Sequence, residues 1–212
     1  MQVELVILTK SSKHKGYCVA GVDVKNGQWI RLVSADESSH GALFQRDMKY
    51  ADKTASQILD VVRVQVVDRY PSANQPENVL IAQNHCWEKT GSLTIDEVLK
   101  IHPPEKHSLI FGNLFPYVIE ADIGAIGYSL ALVHGKYLHI TRKPNPYGVN
   151  EKTKVSFKCG PKWYNNISVT DSDYYDIPDG TKISNAILVI SLPDTPYPRD
   201  EYYKFVAKIF EL

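Results

Sequence analysis

Residues 16–34 read GYCVAGVDVKNGQWIRLVS, a pattern of two β-strands around a tight turn. The first arm is apolar at Val19, Ala20, Val22 and Val24, and the second arm is Trp29-Ile30-Arg31-Leu32-Val33. Between them, Asn26-Gly27 is the kind of pair that a type I′ hairpin turn favours, because both central residues need positive φ. Side chains alternate across a strand, so Ile30 and Leu32 share one face and Trp29 and Arg31 the other. The apolar pair belongs to a core. The Trp-Arg pair is either a working surface or a structural one, with Trp29 packed over a barrel end and Arg31 paired to Asp23 across the hairpin.

Strand signals dominate outward from this stretch. "VELVILTK" (residues 3–10) reads as a first strand, since neither a basic leader nor a small-residue cleavage site surrounds it. "ILDVVRVQVVDRY" (58–70) alternates apolar and polar residues and predicts a long strand, and another is expected at about 78–83. A short helix is predicted near 94–102. Thr94 would cap it, Asp96 and Glu97 lie in its first turn, and Pro103-Pro104 stop it. "SLALVHGKYLHITRK" (129–143) predicts a hairpin across His134-Gly135. Two further strands flank Gly160-Pro161, and "NAILVISL" (185–192) is continuous enough to be a buried strand. The closing "YYKFVAKIF" (202–210) reads as a strand with Tyr203, Phe205, Ala207 and Ile209 inward, or the alternate set. Each half thus holds about five short strands, with a seam near "HPPEKHS" (102–108). The economical fold is mostly β: two tandem small antiparallel OB-like barrels, residues 1–107 and 108–212, with one or two short helices. A single larger barrel is the alternative, and periodicity does not separate OB from SH3-like barrels.

Of the 212 residues, 43% are hydrophobic and 23% charged, as in folded chains generally. Net charge is zero, which argues against a general polyanion binder. No apolar run reaches the roughly 20 residues of a membrane helix, so no membrane partner is expected. Cys18, Cys86 and Cys159 are far apart and form no CxxC pair, which disfavours a zinc ribbon or a disulfide framework and suits a cytoplasmic setting. The charges nevertheless segregate. Lys10, Lys13, Lys15, Lys25 and Arg31 face only Asp23 within residues 10–31. Seven cations, Lys136, Arg142, Lys143, Lys152, Lys154, Lys158 and Lys162, face only Glu151 within residues 136–162. Residues 171–201 carry seven acids against Lys182 and Arg199. Lysine-rich hairpins can also protect sheet edges.

The segments Cys18-Val19-Ala20-Gly21 with Trp29-Ile30-Arg31, "PENVLI" (76–81), Ser191-Leu192 and Tyr203-Lys204-Phe205-Val206-Ala207 resemble the dual OB-containing domain family of bacterial proteins. The resemblance spans nearly the whole chain. It implies two OB-like barrels and, by fold analogy, a nucleic-acid role.

OB barrels hold single strands by stacking bases on exposed aromatics beside a cationic groove. The residues with that chemistry are Trp29, Arg31, Arg142, Lys143, Lys158, Lys162, Trp163 and Tyr164. Trp29 shares its face with Arg31, and Trp163-Tyr164 follows Lys158 and Lys162. "RKPNPYG" (142–148) would make a stiff basic loop for a phosphate or a base, or a plain solvent-exposed connection. The histidines show no HExxH or other metal spacing, and adjacent His85-Cys86 would point to opposite faces of a strand, which disfavours a catalytic dyad. "DSDYYDIPD" (171–179) lacks the glycine and glutamate of an EF-hand. No GxxxxGK[ST], GxGxxG or GxSxG is present, so nothing supports nucleotide hydrolysis, dinucleotide binding or α/β-hydrolase chemistry, and no cofactor is expected. The reading is a non-enzymatic binding module for single-stranded nucleic acid or a nucleotide-like ligand. The alternatives are a protein-interaction module, and a metal-dependent enzyme acting on nucleic acid through the acidic loop.

Overall fold

The computed structural model of the chain describes residues 1–13, 15–144, 151–197 and 199–212. It divides into two compact units, Met1–Ser72 with Pro76–Pro103, and Ala73–Gln75 with Pro104–Leu212.

The first unit contains β1 (Gln2–Lys13), β2 (Gly16–Asp23), β3 (Trp29–Val33), β4 (Asp60–Arg69), β5 (Asn78–Ile81), β6 (Glu88–Ser92) and α1 (Ile95–Ile101). β1 pairs antiparallel with β2, and β2 with β3. β3 then runs parallel to β5, β5 is antiparallel to β4, and β4 returns antiparallel to β1. The ring β1-β2-β3-β5-β4 therefore closes, with β6 added outside along β4. This is an OB-type barrel. β1 serves two partners because it bends. Its first residues lie on β4, its later ones on β2, and the register shifts between Ile7 and Thr9. β4 keeps the alternation expected of it. Val62, Val64 and Val66 join the core with Leu5, Ile7, Val19, Ile30 and Leu32, while Arg63 bridges Glu4 and Glu88 at 3.1 and 2.9 Å. α1 starts with the expected cap: Glu97 N–H donates to Thr94 Oγ1 at 3.3 Å, and Thr94 N–H donates to Glu97 Oε2 at 2.7 Å.

The β2–β3 hairpin forms, but not through the expected type I′ turn. Within its loop only Gly27 has positive φ, 69°. Asp23 Oδ1 accepts the N–H groups of Lys25 and Asn26 at 2.7 and 3.3 Å, and Gly27 N–H donates to Asp23 O at 2.8 Å. The aspartate side chain organises the turn, so a second left-handed residue is not needed.

The second unit contains β7 (Tyr117–Ile119), α2 (Glu120–Ile123), β8 (Leu130–Lys143), β9 (Lys152–Cys159), β10 (Lys162–Val169), β11 (Lys182–Ser191), β12 (Glu201–Tyr203) and β13 (Phe205–Glu211). β8, β9, β10, β13 and β11 close a second ring, again with one parallel pair, β10–β13. The strand order matches the first ring position for position. β7 and β12 form a separate two-stranded sheet.

The hairpin expected across His134-Gly135 is absent, because β8 runs unbroken for 14 residues. Gly135 faces Ala186 in mid-strand, where a Cβ would come within 2.7 Å of Leu188 Cδ1. The glycine is there for packing, not for a turn. The bend comes later, at Tyr137, with φ of 54° and a register shift on β9 between Lys136 and His139. Such a bulge lets β8, like β1, pass from one partner to the other. β11 is buried as expected. β13 buries both of its faces, since Val206, Ala207, Lys208 and Ile209 are all inside.

Lys204, between β12 and β13, is enclosed within the second unit. Its Nζ donates to Ile110 O and Asn113 O at 2.7 Å and to Asn113 Oδ1 at 2.9 Å, and it lies 5.6 Å from the centre of the Tyr164 ring. Burial pushes its pKa down to about 7.

Two predictions follow from the packing. At Gly21 a Cβ would lie 1.9 Å from Val6 O, whereas at Gly91 nothing lies within 4 Å. Gly21→Ala should lower stability in urea by about 2 kcal/mol or more, and Gly91→Ala should be nearly silent. For Lys204, the unfolded chain binds a proton between pH 7 and 10 that the folded chain has given up. This group therefore makes stability rise with pH over that range. The gap in unfolding free energy between the parent and Lys204→Met should widen in the parent's favour from pH 7 to pH 9.5; a pH-independent gap would contradict this.

Candidate nucleic-acid interface

β9 alternates cleanly. Thr153, Val155 and Phe157 are buried, so Lys152, Lys154, Ser156 and Lys158 face outward. Register carries this outward face onto both neighbouring strands. On β8, Lys143 stands opposite Lys152, Thr141 opposite Lys154, His139 opposite Ser156 and Lys136 opposite Lys158. On β10, Ser168 stands opposite Lys154 and Trp163 opposite Lys158. Five lysines and a tryptophan thus occupy one exterior face, and no carboxylate takes any of these register positions. Trp163 is 46% exposed. The bulge adds Tyr137, 63% exposed, beside Lys136. Trp163 thus extends the Lys136–Lys158 row onto β10, and Tyr137 follows Lys136 along β8.

The charges on this face act on one another. The Lys154 ammonium is held below its usual range, first by burial and then by repulsion from Lys152 and Lys143. Its Nζ donates to Ser168 Oγ at 2.6 Å, which orients it without neutralising it. Edge protection does not account for these lysines, because β9 is paired on both sides within a closed ring.

The residues singled out from the sequence divide between this face and the interior. Lys143, Lys158 and Trp163 come together on it. Lys162 is exposed but opposes Cys159, at the tip of the β9–β10 hairpin and off the row. Arg142 has the opposite parity from Lys143. Its Nε meets Glu151 Oε2 at 2.9 Å, and its backbone N–H donates to Asp179 Oδ1 at 2.7 Å. Of the loop 142–148, residues 145–148 lie outside the described residues.

Tyr164 is not a surface residue. Its ring lies against Phe157 in the barrel core, and its hydroxyl accepts the Ile110 N–H at 2.8 Å. Opposite parity to exposed Trp163 forces it inward.

The Trp29-Arg31 face is not open either. Arg31 is 2% exposed, and its Nη1 donates to Cys18 Sγ at 2.7 Å. Directly opposite it stands Ala20, and Val22 stands opposite Trp29; both are fully buried. The unbroken Val19-Ala20-Gly21-Val22 run is the sequence sign of a strand buried on both faces. Trp29 is half-buried, with its ring edge-on to His102 at 5.1 Å, at the end of the strand. His102 in turn is held 2.7 Å from Gly27 O through Nδ1.

The acidic loop is used structurally. Lys208 Nζ lies 3.2 Å from Asp171 Oδ1 and also meets Asp173 Oδ2, and Ile209 N–H donates to Asp171 Oδ2 at 3.0 Å. Burial pushes the Asp171 carboxyl up against the pull of Lys208. Among the described residues, no three His, Cys, Asp or Glu side chains gather into a set able to hold a metal ion.

Two rings of identical strand order, each closed by one parallel pair, agree with the comparison with known families. The model of the dual OB-containing domain matches residues 3–209. The chain belongs to this family. A comparison with curated proteins returns no match. In OB-folds in general the face of strands 2 and 3 binds oligonucleotides and oligosaccharides; in the second ring the strands at those places are β9 and β10. No helix among the described residues is long and apolar enough to cross a membrane.

Sequence reasoning missed Tyr137, Lys136, Lys152 and Lys154 as members of one face. The last three were visible only as a charge count, and Tyr137 was hidden by the hairpin expected at Gly135.

Tyr164→Phe separates structure from surface. It leaves the buried Ile110 N–H without its acceptor and should cost about 1–3 kcal/mol in chemical denaturation. Trp163→Phe should cost almost nothing.

Proposed function

We propose that this dual OB protein is a non-enzymatic binding module whose second barrel takes single-stranded nucleic acid, or a nucleotide-like ligand, on the exterior of β8, β9 and β10. The observation that carries this reading is the set of five lysines with no carboxylate at their register positions, next to the exposed rings of Trp163 and Tyr137. Like charges crowded on one sheet destabilise each other, and a bound anion relieves that repulsion. Residues two apart on a strand are about 6.8 Å apart, so Lys152, Lys154 and Lys158 form a track that follows a strand axis. Tyr137 and Trp163 offer faces for unpaired bases, each stacked base being worth about 1–3 kcal/mol. A duplex hides its base faces, which is why the reading specifies a single strand. Family membership supports the same surface through its fold.

A fluorescence titration of the full chain with labelled dT10 and rU10 tests it. Binding is expected at low salt. On a log–log plot the affinity should fall with salt along a slope no steeper than about −3.5, because each phosphate neutralised on a single strand contributes about −0.7. Trp163→Ala should weaken binding by about 1–3 kcal/mol, and Lys154→Glu with Lys158→Glu should abolish it. Arg31→Met should leave affinity unchanged. Absence of binding at low salt, or indifference to both the Trp163 and the lysine variants, would overturn the reading.

A further inference from the structure

Among the described residues, three lysine ammoniums are held below their usual range: Lys10, Lys154 and Lys204. Their surroundings separate them. Lys204 is 1% exposed, and its Nζ is taken up by Ile110 O, Asn113 O and Asn113 Oδ1, so no reagent reaches it. Lys10 donates to Ser56 O, and the Asp60 carboxylate pulls its ammonium back toward the charged form. Lys154 lies partly exposed on the outward face of β9. Burial, Lys152 and Lys143 all favour its neutral amine, and no carboxylate offsets them.

Strand register supplies the cause. Lys143 stands directly opposite Lys152, one side-chain step of about 6.8 Å along β9 from Lys154. Two ammoniums are thus its nearest charged neighbours. The other groups beside it are uncharged: Thr141 opposite it on β8, Ser168 opposite it on β10, and Ser156 next along its own face of β9. Ser168 Oγ accepts from the Lys154 Nζ at 2.6 Å and fixes where it points. A lysine desolvated beside other cations gives up its proton more readily, and the neutral amine is the nucleophile.

The same cation pair has a second effect. Lys143 and Lys152 attract an anion, and the whole lysine face raises its local concentration. A reagent that joins a phosphate directly to an electrophilic carbonyl carbon is therefore held with that carbon beside the activated amine. Acyl phosphates have this structure.

We propose that Lys154 is a modification site acylated directly by acyl phosphates. The phosphate docks on the Lys143–Lys152 pair. The neutral Lys154 nitrogen attacks the carbonyl carbon and a C–N bond forms. The bond from that carbon to the bridging oxygen breaks, inorganic phosphate leaves with the oxygen, and the surplus amine proton passes to solvent. The product is a neutral amide in the middle of the lysine face, which weakens the hold of that face on any anion. The acylation step stands by itself; only its effect on oligonucleotides rests on reading the face as a single-strand surface.

The full chain is incubated with acetyl phosphate, and acetylation of each lysine is followed by peptide mass spectrometry. Lys154 should react about tenfold faster than exposed Lys25 and Lys53, the low end of the local concentration that a charged face produces. The preference should vanish in concentrated urea and shrink with p-nitrophenyl acetate, a donor without a phosphate. Lys143→Gln combined with Lys152→Gln, both exposed, should bring Lys154 down to the rate of Lys25 while urea unfolding stays as in the parent. The proposal is overturned if Lys154 reacts no faster than Lys25 and Lys53, if its preference survives in urea or is equal with p-nitrophenyl acetate, or if the double variant leaves its rate unchanged. Acetylated parent should bind dT10 about fivefold more weakly, the loss of one phosphate contact at about 0.1 M salt, whereas Lys154→Arg treated alike should hold its affinity. Unchanged dT10 affinity after acetylation of Lys154 would overturn the effect on the face. If the untreated chain does not bind dT10, the single-strand reading falls and the acetylation map still decides this proposal.

Discussion

Everything exposed on either barrel depends on how its ring is closed. In each unit four antiparallel pairings bring the strands round, and one parallel pairing seals the ring: β3 with β5 in the first, β10 with β13 in the second. A parallel neighbour cannot be reached by a tight turn. The chain must leave the barrel and return, and the segments that do so, residues 34–59 and 170–181, carry the short 3-10 turns and the acidic loop. Closure also removes sheet edges. Polar side chains on an interior strand such as β9 therefore have no edge to guard, and edge protection does not explain why five lysines share one face.

The same ring is put to different use in the two units. The outward positions of β2 and β3 hold Ala20, Val22 and Arg31, all buried, and Arg31 spends its guanidinium on Cys18. The equivalent positions of β9 and β10 hold Lys154, Lys158 and Trp163. One topology thus yields one barrel whose outward side chains at these strands are largely buried and one whose lysines and tryptophan face outward. The difference lies in side chains placed on a shared frame, as expected when function sits on a fold and not in it.

Within the second unit, the lysine-bearing face and the tyrosine-rich sheet are separate surfaces. Lysines with Tyr137 and Trp163 occupy the barrel exterior, while tyrosines with carboxylates occupy the β7–β12 sheet. Two buried lysines hold the acidic and aromatic segments in place. Lys208 ties down Asp171 and Asp173, and Lys204 secures the loop that carries Phe115. Neither shows in a charge count as anything but another surface cation, yet both are interior and both decide which groups remain outside.

Much of the architecture is legible in the chain itself. The period of two in 58–70, the capping box at Thr94 and Glu97, and the continuous apolar run at 185–192 are local signals, and local backbone physics realises each of them. Once the strand bounds are known, alternation along β9 puts Lys152, Lys154 and Lys158 on one face, and alternation along β10 sets Tyr164 against Trp163. What a sequence of alternating residues does not contain is the identity of the strand alongside. Whether Gly135 turns the chain or merely makes room for Leu188, whether Arg31 meets solvent or Cys18, and whether Lys136, Lys158 and Trp163 stand in one row are questions of pairing between strands distant in sequence. Register and ring closure decide them, because only there do residues separated by tens of positions come within reach of one another.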